Sequence, residues 1–361
     1  MSNEITIRLF EPGDEKGIVD LLQLAFNGWP KIDLKCEPLD YWKWKYLDNP
    51  TKKMAVAVAE HNDQIVGCIH NVQQRVKIFE KTYLFPYGAD SAVHPDYRKL
   101  GFHTKMSQLK NEQEKSFGGL EHYIVSSNPI LIQKNIRHDR PRLPQDVNIY
   151  VKIRDVNKHI EKMPPKDPTL KKYGYLSLET WNKIQRRVTS RQTPDKDIEV
   201  RPLKRFNEKT DDLWGRVRDN YDFTVERTQD HCNWRYMDER AGAFAVLHAE
   251  KDGTTLGYIA LRVNRHKEDY PIGFIVDLLT DPSERDAAHL LIRDAIEYFN
   301  QEEVNLVTGL STKNDYHMKA LTNNGFLDTR EQINLFTWVK EVQSLTKESK
   351  IFFTLSDTDH V

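Results

Sequence analysis

The triplet Trp44-Lys45-Tyr46 returns as Trp234-Arg235-Tyr236, and the same spacing of 190 residues carries Ala59-Glu60 onto Ala249-Glu250 and Gly67 onto Gly257. Upstream, Ile5-Thr6-Ile7-Arg8 faces Ile198-Glu199-Val200-Arg201 at a spacing of 193, and downstream Asp90, Pro95 and Arg98 face Asp277, Pro282 and Arg285 at 187. Drifts this small fit insertions confined to loops, so the chain reads as a tandem duplication. A duplicated chain must fold as two versions of one plan, which removes most architectures open to 361 residues. The expected division is a first copy over residues 1–155, a connector over 156–196 and a second copy over 197–361.

Each copy repeats one order of elements. In the first, a β-branched strand Ile5–Leu9 precedes a helix with Ile18, Leu21, Leu22 and Ala25 on one face, with Asp14 as N-cap. The aromatic segment Asp40–Leu47 follows, then a hairpin-like pair Met54–Glu60 and Gln64–Ile78 around Asn62-Asp63, and a strand Tyr83–Val93. A helix with Phe102, Met106 and Leu109 aligned and a strand Tyr123–Ser126 complete the set. The pattern β-α-α-β-β-β-α-β, twice, predicts an α+β protein of two tandem domains.

Composition narrows the function classes. Hydrophobic residues make up 39% and charged residues 30%, a soluble globular balance, and no apolar run of about 18 residues is present to span a bilayer. The first residues, Met1-Ser2-Asn3-Glu4-Ile5, lack the basic and apolar regions of a secretory signal, so the expected location is cytoplasmic. Lys plus Arg at 53 against Asp plus Glu at 54 leaves a net charge of −1, unlike a dedicated nucleic-acid binder. Between Asn157 and Lys196, ten basic residues stand against four acidic ones, with prolines at 164, 165, 168 and 194, and this reads as a solvated connector. Cys36, Cys68 and Cys232 lie far apart in no C-x-x-C pair, which favours buried free thiols over disulfides or zinc.

The segment Asp90-Ser91-Ala92-Val93-His94-Pro95-Asp96-Tyr97-Arg98-Lys99-Leu100-Gly101-Phe102-His103 runs from a strand through a glycine turn into a helix. Unpaired N–H groups and the positive end of the helix dipole make such a junction an anion cradle, and Arg98 adds a full charge. A Walker A loop is excluded by the missing Gly-Lys-Ser/Thr, and a dinucleotide fingerprint by the missing Gly-x-Gly.

This V-x-P-x-x-R-x-x-G pattern resembles motif A of the GNAT superfamily of acyl-CoA-dependent N-acyltransferases, over about 145 residues of each half. Ala320-Leu321-Thr322-Asn323-Asn324-Gly325-Phe326 is similar to the family's carboxy-terminal helix end. The resemblance implies two GNAT-like domains, each a mostly antiparallel, twisted, mixed sheet flanked by helices. It further implies that Ser91, Ala92 and Val93 lend backbone groups to the pantetheine arm of acetyl-CoA or another acyl-CoA. Arg98, Lys99, Leu100, Gly101, Phe102, His103 and Thr104 would then wrap the pyrophosphate, and Asn128 would reach the cofactor. Two departures stand out: His103 replaces the family's Gly or Ala, and Asn128–Arg140 lacks the tyrosine that commonly protonates the leaving thiolate.

In the second copy the equivalent loop reads Glu284-Arg285-Asp286-Ala287-Ala288-His289, without the glycine and with two carboxylates that would repel a diphosphate, so this copy is expected to be degenerate. Tandem GNAT proteins with one live copy, such as mycothiol synthase and the Fem-type aminoacyl transferases, resemble this layout. The implied reaction is direct attack of an amine on the thioester, with a base for its proton and an N–H from Ser91 or Ala92 for the oxyanion. Asp90 is the candidate base, with Tyr87 and Tyr123 behind it. Its repetition as Asp277 equally suits a structural carboxylate.

Trp44 and Trp234 read as core anchors. Asp357-Thr358-Asp359 superficially resembles an Asp-x-Asp metal site, but the scattered histidines give no metal-binding spacing, and no metal is predicted. The expected function is N-acyl transfer, chiefly acetyl, to the primary amine of a small molecule, with an amino sugar suggested by the likeness to two-domain GNAT proteins of surface-polysaccharide synthesis. The alternatives are a non-catalytic acyl-CoA-binding scaffold and a Fem-like transferase using aminoacyl-tRNA. Neither oligomeric state nor acyl length is legible.

Overall fold

The computed structural model describes residues 4–126, 128–163, 195, 197–266, 269–312 and 315–358. Most of the expected connector lies outside the described residues, and so does Asp359. Packing groups the chain into two compact units: unit 1 takes 1–144, 238–242 and 334–347, and unit 2 takes 145–237, 243–333 and 348–361. The first segment of unit 1 ends at 144 rather than near 155, because the strand that follows forms its ladder with unit 2 strands.

Unit 1 opens with β1 (Thr6–Leu9), α1 (Glu15–Phe26) and α2 (Pro38–Tyr46). The strands β2 (Ala55–His61), β3 (Gln64–Val72), β4 (Arg75–Ile78), β5 (Lys81–Leu84) and β6 (Tyr87–Val93) follow, then α3 (His103–Ser116), β7 (Ile124–Ser126) and α4 (Pro129–Arg137). An antiparallel sheet runs β1-β2-β3-β6. The expected strands Gln64–Ile78 and Tyr83–Val93 are each divided in two, since β4 pairs with β5 as a hairpin and Pro86 interrupts the second run. Asp14 sits at the N-cap position of α1, but its carboxylate bonds Arg8 and the Glu11 N–H instead of capping the helix.

Apolar Ala57, Ala59, Val66 and Ile69 of the sheet receive Phe102 and Met106 at the start of α3. Leu109, partly buried, packs against the same cluster. Farther along the same face Lys110 and Glu114 are buried as an ion pair at 3.2 Å, and Asn71 and Gln73 donate to the carboxylate. Burial pushes the Lys110 pKa down and the Glu114 pKa up, each opposed by the attraction of the other.

Unit 2 contains β8 (Val147–Ile153), α5 (Val156–Lys162), β9 (Glu199–Pro202), α6 (Glu208–Val217), β10 (Phe223–Val225) and α7 (Gln229–Tyr236). After these come β11 (Ala245–Lys251), β12 (Thr254–Asn264), β13 (Ile272–Thr280), α8 (Arg285–Gln301), β14 (Leu306–Thr312), α9 (Tyr316–Asn323) and β15 (Leu327–Phe336). Its sheet runs β15-β8-β14-β13-β12-β11-β9, antiparallel except for the parallel β13–β14 pair. The last residues of β15 belong to unit 1, where Asn334–Phe336 pair with β7. A short helix α10 (Lys340–Gln343) follows. Sheets are thus mostly antiparallel in both units.

The duplication is written into the strand register. Thr6↔Glu60 and Leu9↔Ala57 in unit 1 become Glu199↔Glu250 and Pro202↔Leu247 in unit 2. The β2–β3 and β11–β12 ladders even share a bulge, after Ala59 and after Ala249. Trp44 is buried as expected and Trp234 is half-buried. Cys68 and Cys232 are buried free thiols, whereas Cys36 is only partly covered. No described helix is long and apolar enough to cross a membrane.

Candidate functional site

Two strands that part company define the candidate site in unit 1. Gly88 N–H donates to the Tyr123 carbonyl at 2.9 Å and Tyr123 N–H to the Pro86 carbonyl at 3.0 Å. Beyond this bridge β6 continues as a sheet edge while β7 turns to β15, and no further ladder pair joins β6 to β7 among the described residues. The closed end of this wedge is tight, since a Cβ on Gly88 would stand 3.2 Å from His122 and 3.5 Å from the Tyr123 carbonyl. Aromatic rings seal it: Tyr123 lies 5.4 Å from Tyr87 and 4.9 Å from Phe85.

At the open end β6 leads through His94 and a single 3-10 turn, Pro95–Tyr97, into the motif loop. Lys99 and Gly101 both take left-handed backbone, at φ +72° and +79°, so the loop coils before α3 begins. Arg98, Lys99, Leu100, Gly101 and Thr104 are exposed, and Phe102 is turned inward to anchor the helix start on the sheet. The first turn of α3 has no side-chain cap, which leaves its N–H groups directed at the loop. His103 extends over β6, where its Nε2 lies 3.1 Å from the Ser91 hydroxyl. Partial burial and the charges of Lys134 and Lys110 hold its pKa below the ordinary value, so the neutral ring shares a hydrogen bond with Ser91. Lys134 belongs to α4, which therefore lies beside this turn and presents Ile130, Leu131 and Ile136 to solvent. Asn128 caps α4, its side chain accepting from Ile130 N–H at 2.9 Å, so the Asn-Pro turn accounts for it.

All three candidate catalytic residues contact other side chains of unit 1. Tyr123 is fully buried and donates to Gln74, and Tyr87 is buried beside it, so both are walls of the wedge's closed end. Asp90 stands at φ +41°, a conformation costing a residue with a Cβ about 1–2 kcal/mol. Its carboxylate accepts from Trp29 Nε1 at 2.8 Å, Lys45 Nζ at 2.6 Å and Tyr46 hydroxyl at 2.5 Å. A carboxylate gripped by three donors, one of them an ammonium, is poorly placed to take a proton from an incoming amine. Trp29, Lys45, Tyr46 and His70 bond Asp90 and Trp42 bonds His70, a cluster that the sequence did not point to as a whole. Lys45 and Tyr46 left a signal there as part of the repeated triplet, and Asp90 left one by its repetition as Asp277.

Unit 2 repeats the diverging strands but fills the gap between them. β13 and β14 pair at Ile272–Phe274 and then diverge, as β6 and β7 do. Here the gap is occupied by the chain itself: Thr354 bonds Asp277 of β13 at 2.9 Å, and Thr312 at the end of β14 donates to the Ile351 carbonyl at 2.9 Å. Phe352, Phe353 and Thr354 help to line a cavity of only about 10 Å³ beside Asp277. The loop before α8 contains no left-handed residue, and the Asp281 carboxylate already takes the Ser283 N–H at 3.0 Å.

Within that filling, Arg227, Asp277 and Asp357 are fully buried, with Arg227 2.7 Å from each carboxylate. Tyr236 and Tyr258 add hydroxyls to Asp277 at 2.8 and 2.7 Å. The Arg227 pairing holds Asp277 low against the cost of burial, whereas burial and the neighbouring Asp277 push Asp357 up to about 6. An acid with a folded pKa above its unfolded value of about 3.9 contributes its full stability below pH 4 and loses it as pH rises through 6. Asp357→Asn keeps the acceptor for Arg227 and removes the surplus charge. It is expected to stabilise the protein by about 1 kcal/mol at pH 7.5 and to change nothing near pH 4, read from urea unfolding at the two pH values. Equal effects at both would show that charge is not the cause.

Comparison with known proteins follows this geometry. A family model described as "Acetyltransferase (GNAT) domain" matches residues 6–118, and one described as "Acetyltransferase (GNAT) family" matches residues 207–326. The chain belongs to the GNAT acyltransferases. It carries two domains of the family in tandem and is an acyl-CoA-dependent N-acyltransferase by that membership. No curated protein matches it in sequence.

Solved GNAT-fold structures align over nearly its whole length. Saccharomyces cerevisiae N-myristoyltransferase with bound myristoyl-CoA and inhibitors aligns with a TM-score of 0.61 at 11% identity, over 93% of this chain and 80% of that one. An Enterococcus faecalis protein described as a probable N-acyltransferase gives 0.61 at 10% identity, over 92% and 72%. A GCN5-related N-acetyltransferase from Anabaena variabilis gives 0.59 at 12% identity, over 92% and 72%. At these identities the likeness is one of fold.

Proposed function

We propose that unit 1 binds acetyl-CoA and transfers its acetyl group to the primary amine of a small molecule, and that unit 2 is a degenerate copy without a cofactor site. The observation that carries this is the asymmetry of the two wedges: β6 and β7 diverge beside an uncapped helix start and a coiled loop, while the gap between β13 and β14 is filled by residues 351–357. Arg98 to Thr104 and the first N–H groups of α3 would hold the pyrophosphate, and the edge of β6 from Ser91 to Val93 would pair with the pantetheine amides. Leu100 and Ile130, apolar and exposed, suit the methylene portions of that arm. The aromatic seal at Tyr87 and Tyr123 favours a short acyl group.

In the reaction the amine nitrogen attacks the thioester carbon, the carbonyl oxygen gathers negative charge, and the C–S bond then breaks to release CoA thiolate. Of the two oxyanion donors considered, Ser91 is the one that stands outside the β3 ladder, so its N–H suits the developing charge. The amine proton leaves by a group other than Asp90, since that carboxylate is already engaged. Amino sugars head the acceptor series.

Calorimetric titration of acetyl-CoA and CoA tests the reading first, with one site per chain expected. Two sites would overturn the degenerate second copy, and no binding would overturn the acyl-CoA site itself. Thiol release from acetyl-CoA over a series of amines comes next. Binding without turnover on any amine would favour a scaffold.

A further inference from the structure

The two copies differ at a single step of their shared ladder. In unit 2, Leu278 and Asp277 stay paired with Ile259 and Ala260, and the extra residue of the bulge is Val276. In unit 1, Cys68↔Ala92 is followed by His70↔Ala89, so Asp90 and Ser91 are the residues left out. Asp90 is in the left-handed region and Asp277 is not. Both aspartates accept from the tyrosine of the repeated triplet, Tyr46 at 2.5 Å and Tyr236 at 2.8 Å, so that bond cannot explain the difference.

Two side chains can. The 190-residue spacing takes Trp42 to Cys232 and His70 to Ala260. In unit 1 the Trp42 indole N–H, which can only donate, meets His70 Nε2 at 3.1 Å. His70 Nε2 is therefore the acceptor, Nδ1 carries the proton, and Nδ1–H donates to the Asp90 backbone carbonyl at 2.8 Å. Burial holds the ring neutral, its pKa pushed down to about 4 despite the facing Asp90 carboxylate, with Lys45 and Lys110 adding to the effect. Trp42 is fully buried and His70 nearly so, which fixes both rings in place.

We propose that the Trp42–His70 relay is a positioning device of unit 1, turning the Asp90 carbonyl inward so that the adjoining Ser91 N–H is free to take the thioester carbonyl oxygen of bound acyl-CoA. This rests on the reading of unit 1 as the acyl-CoA site. His70 touches no substrate and acts through the backbone of Asp90.

The test uses the full chain and two probes, acetyl-CoA and CoA, which differ at the thioester that Ser91 would hold. One added hydrogen bond predicts that acetyl-CoA binds about 3- to 10-fold more tightly than CoA. His70→Asn keeps a donor near Nδ1 and retains this preference. His70→Gln keeps an acceptor near Nε2 for Trp42 but cannot reach the Asp90 carbonyl, so the preference falls to about 1, as it does in His70→Leu. CoA affinity itself stays within about twofold throughout. An unchanged preference in His70→Gln, or equal losses for both probes, would overturn the proposal. Binding of neither probe by the wild type would instead sink the acyl-CoA reading, and the relay is then judged by nitrogen-15 NMR. That measurement expects a neutral His70 protonated at Nδ1, with a Ser91 amide resonance that moves in His70→Gln but not in His70→Asn. The opposite tautomer, or an unmoved resonance, would overturn the relay.

Discussion

Gly101→Glu is expected to weaken acetyl-CoA binding at least about 100-fold while leaving the folded protein intact. Nothing lies within 4 Å of a Cβ at this position, so the side chain enters open space and no core packing is lost. What changes is the loop and its charge. At φ +79° any residue other than glycine carries about 1–2 kcal/mol of strain, and that cost alone sets the expectation for Gly101→Ala, a loss of about 5- to 30-fold or less. A glutamate adds a negative charge in the space proposed for the diphosphate, and two unit charges 4 Å apart at an effective dielectric of 20 repel by about 4 kcal/mol before salt screening. Calorimetry at two salt concentrations separates the contributions, since only the charge part shrinks as salt rises. Equal affinities for wild type and Gly101→Glu would place the acyl-CoA elsewhere.

Arg227→Met is expected to destabilise unit 2 by about 3–5 kcal/mol. The guanidinium is fully buried between two buried carboxylates, and removing it leaves Asp277 and Asp357 without a countercharge. Hydroxyls from Tyr236, Tyr258 and Thr354 still reach Asp277, so geometry survives while charge does not. Without the cation both carboxylates have folded pKa values raised above their unfolded ones. Their stability contribution is then present at low pH and lost as pH rises, so the deficit against wild type is larger at pH 8 than at pH 5. Urea unfolding at those two values checks the sign. Replacing all three residues together by Met and Leu is expected to recover most of the loss, because a well-packed apolar cluster carries no desolvation cost. A small, pH-independent loss in Arg227→Met would show that the triad contributes packing alone.

The duplication, the order of elements and the family were legible in the chain because each depends on short-range signals. Strand registers follow alternation and turn spacing, which is why Thr6–Leu9 and Glu199–Pro202 meet equivalent partners in the two units. The junction of a strand, a left-handed glycine and a helix start was legible too, since these follow one another between Tyr87 and His103. Periodicity failed where burial was polar. Lys110 and Glu114 of α3 are enclosed with Asn71 and Gln73, a pairing that no helix pattern reveals.

Tertiary structure alone decided what each aspartate does and which gap stays open. Asp90 and Asp277 occupy equivalent places in sequence. One is gripped by Trp29, Lys45 and Tyr46 and bent by His70, while the other is enclosed with Arg227 and a segment more than 70 residues downstream. The sequence by itself determined the plan that both copies follow, because ladder pairing and helix periodicity are local. Hydrogen bonds between residues tens of positions apart then made the copies unlike, because the energy of a buried charge depends on whichever groups the fold brings against it, and no spacing along the chain encodes that.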